Sequence, residues 1–234
     1  MNTPAGPTGS TATTTATPTR PATTRVSTTT PSPTGPPTPS RPTTTPTGAF
    51  TSTRSGIDTA LAARMSTSWR AGCPVPLSEL TYLTMTYRGF DGEAHTGEMV
   101  VATAVADDVV EVFRQLYAAG FPIARMRLVD DFGGDDDASM AADNTSAFNC
   151  RRTTSGSGWS QHSYGRAIDI NPVENPYLSD DLVLPTDEFV DRPEAPGVIR
   201  DGDACVQAFA SVGWSWGGDW SDPVDYQHFS QNGR

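Results

Sequence analysis

The chain contains no lysine: all sixteen of its basic residues are arginine. We read this as codon bias of a GC-rich genome, and it excludes any mechanism that depends on a lysine amine. Histidine is almost as scarce, with three residues, and cysteine also numbers three. Three thiols allow at most one internal disulfide, and their positions (73, 150 and 205) fit no zinc-cysteine spacing. Three pairings are open, as are three buried free thiols; Cys73–Cys150 is favoured because both border the presumed active-site half. No stretch approaches the run of about 20 apolar residues that a membrane helix needs. No apolar core of a secretion signal follows Met1 either. Positive charge is also short. Residues 1–55 hold four arginines and no acid, so the remainder sets 12 arginines against 27 acids, a formal charge of −15. That balance argues against nucleic acid as a partner.

Large apolar residues are nearly missing before Phe50, where Thr, Pro, Ser, Ala and Gly dominate. Such a segment cannot bury enough surface to offset its conformational entropy, so residues 1–55 are expected to be a disordered tail. Proline would keep it extended, as a stalk or tether, and Thr/Ser/Pro tracts of this kind are often glycosylated at cell surfaces. A tail without a specific role has equal claim. Residues 56–234 suffice for one domain with one core.

Patterning over that domain is mixed. Ile57–Trp69 has helical spacing. Leu80–Tyr87 alternates and Glu98–Thr103 returns, which predicts a hairpin. From Asp107 or Asp108 to Gly120 runs the clearest helix, with Val109, Val112, Phe113, Leu116 and Tyr117 on one face. A strand is predicted over Ile123–Val129 and a long acidic loop over Asp130–Asn149, with Asp135–Asp137 as a solvated run. Gly165–Ile170 reads as a strand, Asn171–Gly202 as irregular, Ala204–Val212 as a helix, Trp214–Trp220 as strand and turn, and Tyr226–Phe229 as a last strand. There is no regular βαβ alternation, so the class is α+β, an antiparallel sheet flanked by helices.

Two stretches carry the chemistry: Ser160-Gln161-His162-Ser163-Tyr164-Gly165-Arg166-Ala167-Ile168-Asp169 and Asp225-Tyr226-Gln227-His228. Together they offer two imidazoles and a carboxylate, the usual ligand set of a catalytic zinc, with Asp225 as a spare acid. Asp225 and His228 would face opposite sides of a straight strand, so their pairing requires a turn before His228. On spacing alone a metal site and structural roles stand level: Asp169 as a turn cap before Asn171-Pro172, Asp225 as a solvated acid, Arg151 as a surface ion-pair partner. His95 is a loop residue with no partner pattern. Trp214, Trp216 and Trp220 fit core and cleft wall better than a binding platform.

At these positions the sequence resembles the zinc D-Ala-D-Ala carboxypeptidase family, which includes D,D-peptidases of vancomycin resistance and phage L-alanyl-D-glutamate endolysins. The pattern S-x-H-x-x-G-x-A-x-D is met by Ser160, His162, Gly165, Ala167 and Asp169. Trp216-Gly217-Gly218-Asp219-Trp220 and Asp225-x-x-His228 follow it in order. Val129-Asp130, Asn144-Thr145-Ser146, Phe148-Asn149 and Arg151 extend the likeness, which runs from about Leu77 to Phe229. Hedgehog signalling domains share the scaffold, so the fold by itself implies no activity.

The resemblance implies a zinc peptidase acting on peptidoglycan peptides, outside the cell or at the wall, with no membrane span, and expected as a monomer. His162, Asp169 and His228 would hold zinc, and Asp225 would be the general base. Arg151, or its neighbour Arg152, would steady the carbonyl oxygen. Ser160 would orient the substrate or a ligand. The bond cut is a D,D-carboxypeptidase or an L-Ala-D-Glu type; Asp in place of Glu at position 225 tilts to the second. The rivals are a non-catalytic wall-binding module, opposed by the intact ligand set, and a purely structural disulfide domain, weakened by the odd cysteine count.

Overall fold

A computed structural model describes residues 48–153, 156 and 158–233. The tail therefore lies outside the described residues up to position 47. In chain order the elements are strand β1 (Ser52–Gly56), helix α1 (Thr59–Arg64), strands β2 (Leu80–Arg88) and β3 (Ala94–Ala102), helix α2 (Ala106–Ala119), strand β4 (Arg125–Met126), helix α3 (Asp136–Ala141), strands β5 (Asn144–Thr145), β6 (Ala167–Asp169), β7 (Tyr177–Ser179) and β8 (Leu182–Leu184), helix α4 (Ala204–Ser211), and strands β9 (Ser215–Trp216), β10 (Val224–Asp225) and β11 (His228–Ser230). Helices and mainly antiparallel strands confirm the α+β class. The single expected sheet is, however, divided: the orders are β1-β2-β3, β10-β7-β8 and β6-β11-β9, and β4 pairs with β5 in parallel.

The β2–β3 hairpin pairs from Leu80 opposite Ala102 to Arg88 opposite Ala94, so β3 starts earlier than the sequence pattern suggested. Helix α2 lies on it. Its predicted face, Val109, Val112, Phe113, Leu116 and Tyr117, is buried throughout. Left-handed Gly120 ends it, with its N–H on the Leu116 and Tyr117 carbonyls. This face shares one core with Leu83, Met85, Met99 and Val101 of the hairpin and with Ala208 and Phe209 of α4. Phe209 stacks on Phe229 at 3.9 Å between ring centroids, which ties the core to β11.

Three readings are corrected here. First, the tail boundary at 55 falls inside β1, whose residues pair from Ser52 opposite Met85 to Gly56 opposite Thr81. All five β1 residues are exposed, so no apolar pattern marks it; the backbone of β2 holds it. Phe50 also packs on the core, and the Tyr117 hydroxyl donates to the Gly48 carbonyl at 3.2 Å. A chain beginning at Gly48 should therefore unfold at the full-length temperature, whereas one beginning at Ile57 should melt lower by on the order of 5 °C. Equal melting of the two in calorimetry would show that β1 contributes nothing. Second, the strand predicted over Ile123–Val129 shrinks to β4, because Val129–Phe132 turns into a 3-10 helix. Third, Asp130–Asn149 is not a loop. Asp135 caps α3 by accepting from the Ala138 N–H at 3.0 Å, so the acids open a helix, where Asp135 and Asp137 are solvated as expected.

The stretch Asn171–Gly202 is irregular apart from the β7–β8 hairpin, and one amide orders much of it. Buried Asn175 donates to the carbonyls of Ile170, Asn171 and Gly197 and accepts from the Ile199 N–H and the Arg192 guanidinium. Buried irregular backbone needs such partners. The disulfide joins Cys73 to Cys150, and Cys205 is free and buried among α4's core residues.

Candidate metal centre

Strand alternation explains how the two motifs meet. Ile168 and Ile170 enter the core, which turns Asp169 to the opposite face. Likewise Phe229 is in the core and His228 faces away from it. β6 and β11 pair antiparallel with His228 directly opposite Asp169. Cross-strand neighbours on one face stand close enough to share a ligand.

His162 arrives from a 3-10 turn, Gln161–Tyr164. Ser160 caps this turn, its Oγ accepting the His162 N–H at 3.3 Å. Gly165 closes it at φ 64°, and a Cβ there would stand 2.5 Å from the Ala102 nitrogen. Only glycine satisfies both the left-handed backbone and that approach. Ser160 thus positions the backbone of His162 while also lining the adjoining cavity.

The three side chains converge. His162 Nε2 is 3.1 Å from Asp169 Oδ2, His228 Nδ1 is 3.0 Å from Asp169 Oδ1, and the two imidazole nitrogens are 3.3 Å apart. All three residues are buried. His162 Nδ1 donates to the Ala147 carbonyl at 2.6 Å, which leaves the Nε2 lone pair aimed at the centre. Burial alone would raise the Asp169 carboxyl, but the two imidazoles outweigh it and hold the group well below the usual carboxylate range. A carboxylate and two imidazole nitrogens meeting at one buried point fit zinc, which accepts nitrogen and oxygen ligands.

Asp225 reaches the same place through the required turn. It ends β10, paired with Tyr177 of β7; Tyr226 and Gln227 turn, and β11 then enters a different sheet. The predicted strand Tyr226–Phe229 therefore starts only at His228. Gly217 makes room for the turn, since a Cβ there would meet the Asp225 carbonyl at 2.5 Å. Asp225 Oδ1 is enclosed without a hydrogen-bond partner among the described residues. Its carboxyl is pushed up to about 7, by burial first and by the Asp169 charge, against the opposing pull of His228 and Arg151.

A cavity of about 300 Å³ opens at this point, lined by His162, His228, Asp225 and Arg151 and walled by Trp159, Tyr177 and Trp220. Arg151 is ion-paired to Asp136 at 2.8 Å. Arg152 instead lies over the Trp159 ring at 4.0 Å. Trp214 and Trp216 are core residues. The walls Trp159 and Tyr177 carried no motif, and only the strand pairing of Tyr177 with Asp225 reveals the latter.

A larger cavity of about 810 Å³ contains none of these residues. It is lined partly by His95, which sits in β3 and pairs with Asp91 at 2.9 Å, so this histidine does have a partner. Glu174 also borders it. Burial, together with the adjacent Asp143 carboxylate, pushes Glu174 to about 8, and Asp143 is raised too. Between the ordinary carboxylate range and about pH 8 the folded chain keeps a proton that the unfolded chain has released. Stability should fall as pH rises through that window. Glu174→Gln should flatten the fall between pH 5 and pH 8 in urea titrations; an unchanged slope would mean that other groups cause it.

Residues 153–231 match the D-alanyl-D-alanine carboxypeptidase family. The matched segment carries all three converging side chains, Ser160 and Asp225, and the match supports a peptidase. Arg151 and Asp136 lie just upstream of it. No curated protein and no solved structure gives a match.

Proposed function

We propose that the protein is a zinc-dependent peptidase that hydrolyses the stem peptides of peptidoglycan. The observation that carries this reading is the convergence of His162 Nε2, His228 Nδ1 and the Asp169 carboxylate within 3.0–3.3 Å, inside a carboxypeptidase-type segment. These three residues would hold the zinc. When bound, zinc supplies Lewis acidity to the scissile carbonyl and the attacking water. Asp225 takes the water's proton and returns it to the leaving amine, a role supported by a carboxyl that lines the cavity beside His162 and His228 with Oδ1 unpartnered among the described residues. The Arg151 guanidinium faces the carbonyl oxygen as its charge grows. Trp159, Tyr177 and Trp220 wall the cleft against bulk water. The substrate implies action at the cell wall, and no helix among the described residues is long and apolar enough to cross a membrane. On this reading the scaffold is the hedgehog/D,D-peptidase type.

The test is digestion of purified muropeptides by zinc-loaded protein, followed by mass spectrometry. Loss of the terminal D-Ala marks a D,D-carboxypeptidase; separation of D-Glu from L-Ala marks the endopeptidase. No product, with retained binding to peptidoglycan sacculi, would establish a wall-binding module in place of the enzyme.

A further inference from the structure

Arg151 stands at the mouth of the cleft on a long side chain. A guanidinium that must meet a developing oxyanion is useful only if its donors are held in place beforehand. Its backbone is fixed by Ser163, whose Oγ accepts the Arg151 N–H at 2.9 Å and donates to the Arg151 carbonyl at 2.7 Å. Among the described residues the guanidinium makes one ion pair. Asp136 Oδ2 stands 2.8 Å from Nη2 as an ion pair, while Nη1 donates to the Arg152 carbonyl at 3.3 Å and Nε–H is buried without an acceptor among the described residues. The second oxygen of Asp136 accepts from Asn149 Nδ2 at 3.3 Å. The Asn149 N–H in turn donates to the His162 carbonyl at 3.3 Å. One carboxylate therefore links the guanidinium to the turn that carries His162. About three quarters of each side chain in the ion pair is buried, so solvent only partly screens it.

We propose that Asp136 is a positioning residue for the reaction: it fixes the Arg151 guanidinium over the cleft through the ion pair and keeps it in register with His162 through Asn149. This rests on the reading of Arg151 as the group that faces the scissile carbonyl. A plain surface ion pair would affect folding slightly and turnover not at all.

The experiment compares wild type, Asp136→Asn, Asp136→Glu, Arg151→Ala and the double variant Asp136→Asn/Arg151→Ala. Two readouts are taken: turnover of pentapeptide muropeptides by the zinc-loaded protein, and arginine side-chain ¹⁵N spectra of the metal-free protein. Arg151→Ala should cost about 10²–10³-fold in kcat. Asp136→Asn should cost about 10-fold or more, in kcat with KM little changed, because misplacing a positioned group is costly. Asp136→Glu, with its charge kept, should recover part of the loss. Asp136→Asn should add nothing in the Arg151→Ala background. In the spectra, the Arg151 Nη signals should be separate in wild type, from hindered rotation, and averaged in Asp136→Asn, which needs no catalysis to be seen. Undiminished turnover of Arg151→Ala would overturn the reading of Arg151 and this inference with it. A full loss in Arg151→Ala beside unchanged or strictly additive effects of Asp136→Asn would overturn this inference alone. Spectra that do not respond to Asp136→Asn would also overturn it, whatever the activity.

Discussion

His162→Ala should lower zinc from one per chain to background, measured by metal analysis after dialysis. The expectation follows from the donor set, because His162 offers one of three candidate ligand atoms that lie within 4.8 Å of one another, and it is the only one of the three residues outside the β6–β11 pair. With it gone, Asp169 and His228 leave two ligands, one short of what a catalytic zinc requires. A melting series provides an independent check. A ligand that binds only the folded state stabilises it by about 2.7 kcal/mol at a concentration one hundred times its dissociation constant. Added zinc should therefore raise the melting temperature of wild type and leave that of His162→Ala unmoved. The fold should persist, since Ile168, Ile170 and Phe229 keep the other face of β6 and β11 in the core. Undiminished zinc in His162→Ala would remove the assignment.

Asp225→Asn should keep zinc and lose most of the turnover, by about 10²–10⁴-fold. On the proposed reading His162, Asp169 and His228 supply the three ligands, and Asp225 reaches the centre from another sheet. Asn has the same size and cannot accept the proton. Stability should move the other way. The Asp225 carboxyl is raised to about 7, so in the metal-free protein the folded chain holds its proton over a range where the unfolded chain does not. Stability is then lost as pH rises through that range, and Asp225→Asn should remove this group's share of the loss, leaving the share of Glu174. A variant at least as stable as wild type at pH 8 yet nearly inactive would mark Asp225 as a group kept for chemistry and not for folding. In the loaded enzyme a nearby cation lowers the carboxyl, so the acidic limb of the rate profile should fall below pH 7. That limb reports the base coupled to the centre. Loss of zinc from Asp225→Asn would make Asp225 a ligand. Near wild-type turnover would move the base elsewhere, with Asp219 the next residue to test.

The elements legible in the sequence are those with strong periodicity. Helix α2 has both an apolar face and a glycine stop, and each of its predicted face residues is buried. The β2–β3 hairpin alternates. Elements held by backbone pairing alone left no mark. β1 is exposed at every residue, and β4 and β5 are two residues each. Helix α3 is hidden because six residues give under two helical turns, too few for a period, and its acids also suit a solvated loop.

The sequence by itself determined the chemistry of the centre: which residues offer imidazole and carboxylate, and that a bend must separate Asp225 from His228. These follow from residue type and short-range spacing, which the chain carries locally. Only the tertiary structure decided which atoms meet. β6 and β11 pair across 59 residues to set Asp169 against His228, and the disulfide joins positions 77 apart beside Arg151. It alone decided that Arg151 rests on Asp136, fifteen positions upstream in a helix that no periodicity announces. The physical reason is that local pattern records which face is apolar, whereas the pairing of strands and the seat of a long charged side chain depend on what the rest of the chain packs around them.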